Sequence, residues 1–468
     1  MTIRHLHSTT RPTVRDRIDG WHVYRTLFDL LLSEAPDAEG TTKKGSVFII
    51  SGWVFDILHE FVYQFQGFCQ YRTKVVVNAA NKASSSTTGS NPSAEILETL
   101  SSNRDAWAVE TVLFYLHRFL SYATLDVSST DDKRPSLLAY KNLGLFSAVA
   151  LSRLECLLGD YHQSLVALTP IYETTSNGAI VNEVFQAKLS LAYHAGVSYF
   201  MLRRYKDATT ILSGICVILQ RGFKTGQLRK LSGNEQFMKL QERMIALLAI
   251  VTHICPYAKV DDALVRLIRD KHSSQLAKIE SGEEGYEDLF IFACPKFVSP
   301  AVPNYNITSD NTDETAVLHS STGQDAYNLQ IKQFMTQMSQ QRTLRKLRSY
   351  LKLYTSIPID KLASFNDTSI KEFVSYLLCY KHKMNQLEHN KDGQDPMDGA
   401  VTCAMDLHYF IHDDLIHISD CKDGSVGSNF DEDKDGFRGL IKFEHFYLQQ
   451  VIANEEIRKE VDALDIKF

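Results

Sequence analysis

The chain has 468 residues, of which 44% are hydrophobic and 23% charged, with a formal net charge of -6. That length suits about three ordinary domains or one long helical array, and the mild acidity excludes a protein that coats nucleic acid over its whole surface while leaving local basic patches open. Eight cysteines contain no Cys-x-x-Cys pair, and no apolar run nears the about 20 residues of a membrane span, so neither a zinc ribbon, a disulfide framework nor a transmembrane helix is expected.

The N-terminal "MTIRHLHSTTRPTVRDRIDG" lacks the apolar core of a signal peptide, which points to reduced thiols in the cytosol or nucleus. From about residue 46 to 275 the pattern is helical. In "SGWVFDILHEFVYQFQGFCQYRTK", Leu58, Phe61, Val62, Phe65 and Phe68 recur at three- and four-residue spacing and predict one buried helix face. The Ser/Thr/Asn-rich stretch at 78–93 reads as a flexible loop.

An internal repeat follows. At an offset of 44 residues "LSRLECLLGDYHQSLVAL" aligns with "HAGVSYFMLRRYKDATTIL", pairing Ser152 with Gly196, Leu158 with Leu202, Tyr161 with Tyr205, Ser164 with Ala208 and Leu168 with Leu212. Small residues let paired helices approach and the tyrosine covers the turn, as in tetratricopeptide (TPR) units, although the offset exceeds their usual ~34 residues. A looser pair spans "MIALLAIVTHICPYAKVDDALVRLI", broken at Pro256. Stacked pairs predict a solenoid over residues 1–292.

Pro295, Pro300 and Pro303 then impose extended backbone in a connector over 293–327. Helices return in "LQIKQFMTQMSQQRTLRKLRSYLKLYTSI", "PIDKLASF" and "SIKEFVSYLLCYKHKM", the last opening with Ser369 and Glu372 in capping-box spacing. The polar "NQLEHNKDGQDPMDGA" reads as a separator. Beyond it Leu407, Tyr409 and Ile411 alternate, as do Ile416 and Ile418, across a turn at Asp413 and Asp414. Three helices and a hairpin over 328–420 are the order of a winged helix. An acidic loop at 421–436 leads to an amphipathic helix over 437–468 that bears Phe443, Phe446, Tyr447, Val451 and Ile452. The expected class is mainly α, a TPR-like solenoid followed by a winged helix and a C-terminal helix.

Chemical motifs fail on inspection. "DEDKDGFRGLIK" at 431–442 imitates a calcium loop, but Lys442 stands where the chelating glutamate belongs. "HEFVY" has Tyr63 in place of the second zinc-binding histidine and leaves His59 as a surface or interface residue. His408 and His412, near Cys403 and Asp414, are a weak metal candidate, and neither a P-loop nor a GxGxxG or GxSxG motif occurs. No enzyme activity and no cofactor are expected. Arg342, Arg345, Lys346, Lys381 and Lys383 are candidates for RNA phosphate contact, with a solvated face as the favoured alternative.

Helical repeats running into a winged helix resemble the PCI domain of the proteasome lid, the COP9 signalosome and translation initiation factor 3. More locally, "LLGDYHQSL", "MLRRYKDA", "YEDLFIFACPKFVSPAVPNY", "LRSYLKLYTSIPIDKLASF" and "KEFVSYLLCYKHKM" are similar to the subunit L family of eukaryotic translation initiation factor 3, over about residues 20–420. The resemblance implies a non-catalytic, cytoplasmic subunit that joins other PCI subunits, especially subunit K, and reaches the small ribosomal subunit through the complex. It also implies PCI-to-PCI contact through Leu407, Tyr409, Ile411, Ile416 and Ile418, and assembly through the final helix. Family members usually carry a further N-terminal helical region, so this sequence reads as a shortened form or an incomplete gene model. The stretches at 78–93 and 422–436 read as insertions. A subunit of another PCI assembly and a direct RNA-binding winged helix are the alternatives.

Overall fold

A computed structural model describes residues 12–35, 49–84, 92–125, 134–228, 234–255, 260–281, 285–305, 325–351, 353–354, 356–389, 395–403, 407–412 and 414–420. Within these the protein is mainly helical.

The first helix, α1 (Val14–Ser33), starts at a full capping box: the Thr13 side chain accepts from the Asp16 amide, and the Asp16 carboxylate accepts from the Thr13 amide. It buries Ile18, Trp21, Tyr24, Phe28 and Leu31 at helical spacing. Helix α2 (Ser51–Ser84) meets it with Phe61, whose ring lies 4.8 Å from Phe28 and 5.3 Å from Tyr24. The stretch expected as a loop, 78–93, is helical at both ends: α2 runs through 78–84 and α3 (Pro92–Ser102) begins at Pro92. Ala79, Ala80, Lys82 and Ala83 are strong helix formers, and proline suits a first helical position, where its missing N–H would have no partner anyway.

After α4 (Val109–Leu120) and a turn of 3-10 helix at Ser121–Thr124 come the repeats. They comprise α5 (Arg134–Leu158), the short α6 (Tyr161–Val166), α7 (Thr169–Tyr172) and α8 (Thr175–Glu183), then α9 (Phe185–Met201), α10 (Tyr205–Lys224), α11 (Asn234–Ile254), α12 (Asp262–Ser281) and α13 (Gly285–Ala293). The aligned positions do equivalent work. Ser152 and Ser164 hydroxyls meet at 3.1 Å, and a Cβ on Gly196 would lie 2.5 Å from a Leu212 methyl carbon. Each turn contains one left-handed residue at the same repeat position, Gly159 at φ 92° and Arg203 at φ 64°.

Residues 295–305 form neither helix nor strand, in keeping with their three prolines, and run over earlier helices: the Val298 amide donates to the Leu157 carbonyl at 2.9 Å, and Gln66 donates to the Lys296 carbonyl at 2.9 Å. Phe297, Val298 and Tyr305 are buried in the same core as the repeats.

The C-terminal part comprises α14 (Asp325–Leu351), β1 (Ser356–Pro358), α15 (Ile359–Phe365), α16 (Ile370–Met384), β2 (Asn385–Glu388), β3 (Ala400–Cys403), β4 (Leu407–His412) and β5 (Leu415–Asp420). One antiparallel sheet has the order β1-β5-β4, with Tyr409 opposite Ile418, Ile411 opposite Ile416, and Ile357 opposite Ile416 on the far side. The other pairs β2 with β3, so the polar stretch read as a separator begins with strand β2 and ends at Ala400, the first residue of β3. Two apolar cores result. The large one runs from Val14 to Phe334 and Met338 in the first half of α14; the small one joins Leu351, at the end of α14, to α15, α16 and the three-stranded sheet. Helix α14 therefore belongs to both.

Candidate functional site

The small core presents the most distinctive surface. Its sheet is seated on α16 by side chains that alternate along the hairpin: Tyr409, Ile416 and Ile418 turn inward against Phe373, Leu377 and Tyr380. The Tyr409 ring stacks on Tyr380 at 6.3 Å, and its hydroxyl donates to the Leu377 carbonyl. Helix α16 is set by the expected capping box, in which Ser369 and Glu372 each accept from the other's amide.

This placement refines the role of the hairpin residues. Tyr409, Ile416 and Ile418 are buried, and Ile411 packs partly against them, so these side chains hold the sheet to its own helix and are not an exposed contact set. The main chain supplies a different opportunity. A two-residue turn makes His412 and Leu415 the hydrogen-bonded closing pair, so by antiparallel alternation the main-chain groups of Tyr409 and Ile411 point away from β5. Among the described residues β4 has no strand neighbour on that side. Lys381 on α16 donates to the Tyr409 carbonyl at 3.4 Å there, the kind of cation that discourages indiscriminate pairing at a sheet edge.

Two of the basic candidates are thus engaged internally. Lys383 is 6% exposed and donates to the Gln337 side chain at 3.2 Å, and burial pulls its pKa below the usual lysine value. It is not placed to meet a phosphate. Arg342, Arg345 and Lys346 lie in the second half of α14, where the backbone is described and the side chains are not. Phe443, Phe446, Tyr447, Val451 and Ile452, like the imitation calcium loop, lie outside the described residues. Among the described residues, no group of three or more His, Cys, Asp or Glu side chains is arranged to hold a metal, and no helix is long and apolar enough to cross a membrane.

A junction that no sequence expectation covers joins the repeats to the segment leading into the C-terminal strands. Arg204, 2% exposed, donates through Nε to Asp207 at 2.7 Å and through Nη1 and Nη2 to the carbonyls of Met397 and Asp398 at 2.9 and 3.0 Å. Asp207 in turn accepts from the His389 amide at 3.0 Å. Nearby, Tyr199 donates to the Pro396 carbonyl at 2.8 Å, Lys206 pairs with Glu388 at 2.7 Å, and Arg203 donates to the Lys383 carbonyl at 2.8 Å. The second repeat turn is thereby fastened to the segment that carries β2 and β3. The visible signal was the pair of arginines in "MLRRYKDA", where the first repeat has Gly159 and Asp160.

Comparison with known proteins supplies the family. Subunit L of eukaryotic translation initiation factor 3 from Nematostella vectensis is 31% identical over 473 residues, covering 98% of this chain and 80% of the relative. The chain belongs to the subunit L family of eukaryotic translation initiation factor 3. The Gallus gallus and Homo sapiens subunits L are 34% and 33% identical over 435 residues, each match covering 90% of this chain and 70% of the relative. A family model described as RNA polymerase I-associated factor PAF67 matches residues 16–430, which takes in both cores and the arginine junction between them.

Proposed function

We propose that this chain is a non-catalytic scaffold subunit of translation initiation factor 3, with TPR-like repeats leading into a winged helix, the two together forming a PCI domain. The observation that carries the reading is similarity to subunit L over nearly the whole chain. The geometry supports it: helix α14, strand β1, helices α15 and α16 and the β4–β5 hairpin follow winged-helix order, and the side of β4 that has no strand neighbour among the described residues suits strand addition by a neighbouring subunit. The partners are other subunits of the factor, subunit K among them, and the small ribosomal subunit is met through the assembled complex in the cytoplasm. The final helix over 437–468 contributes a further assembly contact.

The test is affinity purification of the tagged full chain from cells, with mass spectrometry of what accompanies it. Recovery of initiation factor 3 subunits, including subunit K, and of small ribosomal subunit proteins is the expected result. Recovery of RNA polymerase I, proteasome-lid or signalosome subunits in their place overturns it. A paired variant locates the contact. Ile411→Pro removes an edge N–H that Ile411→Val keeps, so the proline variant loses subunit partners and the valine variant retains them.

A further inference from the structure

A cleft of about 410 Å³ opens between α2, α5, α9, α11 and the extended segment at Pro295 and Lys296, away from the small core. That size falls in the range of ligand-binding clefts. Its lining brings together Arg153, Arg243 and Lys296, with His59 and His194, and contains no aspartate or glutamate among the described residues. Arg153 is 8% exposed, and its Nη1 lies 2.9 Å from Nδ1 of His59 and 3.4 Å from the His59 carbonyl. Among the described residues no ion pair is made by Arg153, Arg243 or Lys296. A buried guanidinium with no carboxylate in direct contact is costly, and a carboxylate brought by a ligand offsets that cost. Burial brings the Arg153 pKa down to about 10, with Glu60 and Tyr63 opposing the change. The same burial, with Arg153 beside it, lowers the His194 pKa to about 3, so that ring stays neutral.

The walls between the cations narrow the ligand class. Gln66, Gln186 and Gln236 carry amides that both donate and accept, as a peptide main chain does, and Leu189, Phe237 and Leu240 give apolar surface beside them. A bare phosphate ion leaves those walls unused. We propose that this cleft is a docking site for an acidic peptide segment of a partner protein, held by Arg153, Arg243 and Lys296 through its carboxylates and by the glutamine amides through its backbone. The net charge of -6 repels acidic peptides from the chain as a whole, so attraction is confined to sites of this kind. The proposal does not depend on the identity of the complex the chain joins.

Fluorescence anisotropy of the full-length chain with a short labelled peptide alternating glutamate and leucine tests it. The exposed Lys296 and the half-buried Arg243 are the variants to use, because Arg153→Gln alone risks the fold. The expected result is saturable binding that weakens by about tenfold or more in Arg243→Glu and in Lys296→Glu and is unchanged in Lys371→Glu on α16, with all melting temperatures alike. No binding, equal binding by every variant, a preference for the glutamine version of the peptide, or displacement of the peptide by inorganic phosphate or a uridine-rich RNA oligonucleotide at lower concentration each overturns it.

Discussion

Gly159 and Arg203 occupy equivalent places in two repeat turns, and both adopt a left-handed backbone. For glycine this conformation costs little; for arginine it costs about 1–2 kcal/mol, offset at Arg203 by its hydrogen bond to the Lys383 carbonyl. A Cβ added at Gly159 meets the Gln330 amide at 2.6 Å, and Gln330 cannot swing aside freely because Tyr161 donates to it at 2.6 Å. Gly159→Ala is therefore expected to lower stability by about 1–3 kcal/mol, read by urea unfolding. Glu155, in the turn before it, has its pKa pushed up to about 7 by burial first and by the Asp160 charge second. The folded chain then keeps a proton that the unfolded chain has lost between about pH 4.5 and 7, so stability falls as pH rises through that window and levels off above it. Glu155→Gln removes this dependence: its melting temperature matches the parent near pH 4 and exceeds it at pH 8.

Helix pairing in the repeats depends on small residues at the crossing. Gly196→Ala brings a methyl to 2.5 Å from the fully buried Leu212 side chain, and overpacking of this kind costs about 1–3 kcal/mol. Thermal unfolding is expected to show that loss, and Gly196→Ala with Leu212→Val to recover part of it. The repeat was legible from sequence because Ser152, Gly196, Tyr161 and Tyr205 recur at a fixed offset, and the hairpin because period-two alternation has no other reading. Other elements were hidden for physical reasons. Strand β1 has only three residues, one of them proline, and takes its conformation from pairing Ile357 with Ile416. Strands β2 (Asn-Gln-Leu-Glu) and β3 (Ala-Val-Thr-Cys) have only four residues each and leave Leu387 and Val401 exposed, and they are held by pairing with each other and by the Lys206–Glu388 and Thr402–Glu388 contacts. Helix α1 did carry a sequence signal, the Thr13 and Asp16 capping box before a row of aromatics. The inward-facing roles of Tyr409 and Lys383 could not be read from the chain alone, because alternation says that one face is buried but not whether its cover is α16 or another protein.

At the scale of the whole molecule, two cores must move as one if a subunit is to hold partners at fixed relative positions. Helix α14 spans both, but a single helix is a lever that bends; the arginine junction supplies the second attachment. Arg204 satisfies one carboxylate and two carbonyls, and it and Asp207 are buried, so removing one member of the pair leaves the other charge unmatched, at a cost of about 3–5 kcal/mol. That cost falls on the junction more than on either core, because Asp398 and His389 belong to neither apolar cluster and Met397 only packs against the large one from its edge. Arg204→Met is therefore expected to release the amides of β2 and β3 to fast hydrogen exchange while α9, α10 and the inward face of the β4–β5 hairpin keep their protection. Arg204→Lys keeps the charge but cannot span Asp207 and both carbonyls at once, and it gives an intermediate exchange rate at the same amides. Uniform loss of protection across both cores would instead mean that the junction is part of one cooperative unit, and unchanged exchange at β2 and β3 would mean that α14 alone holds the two cores together.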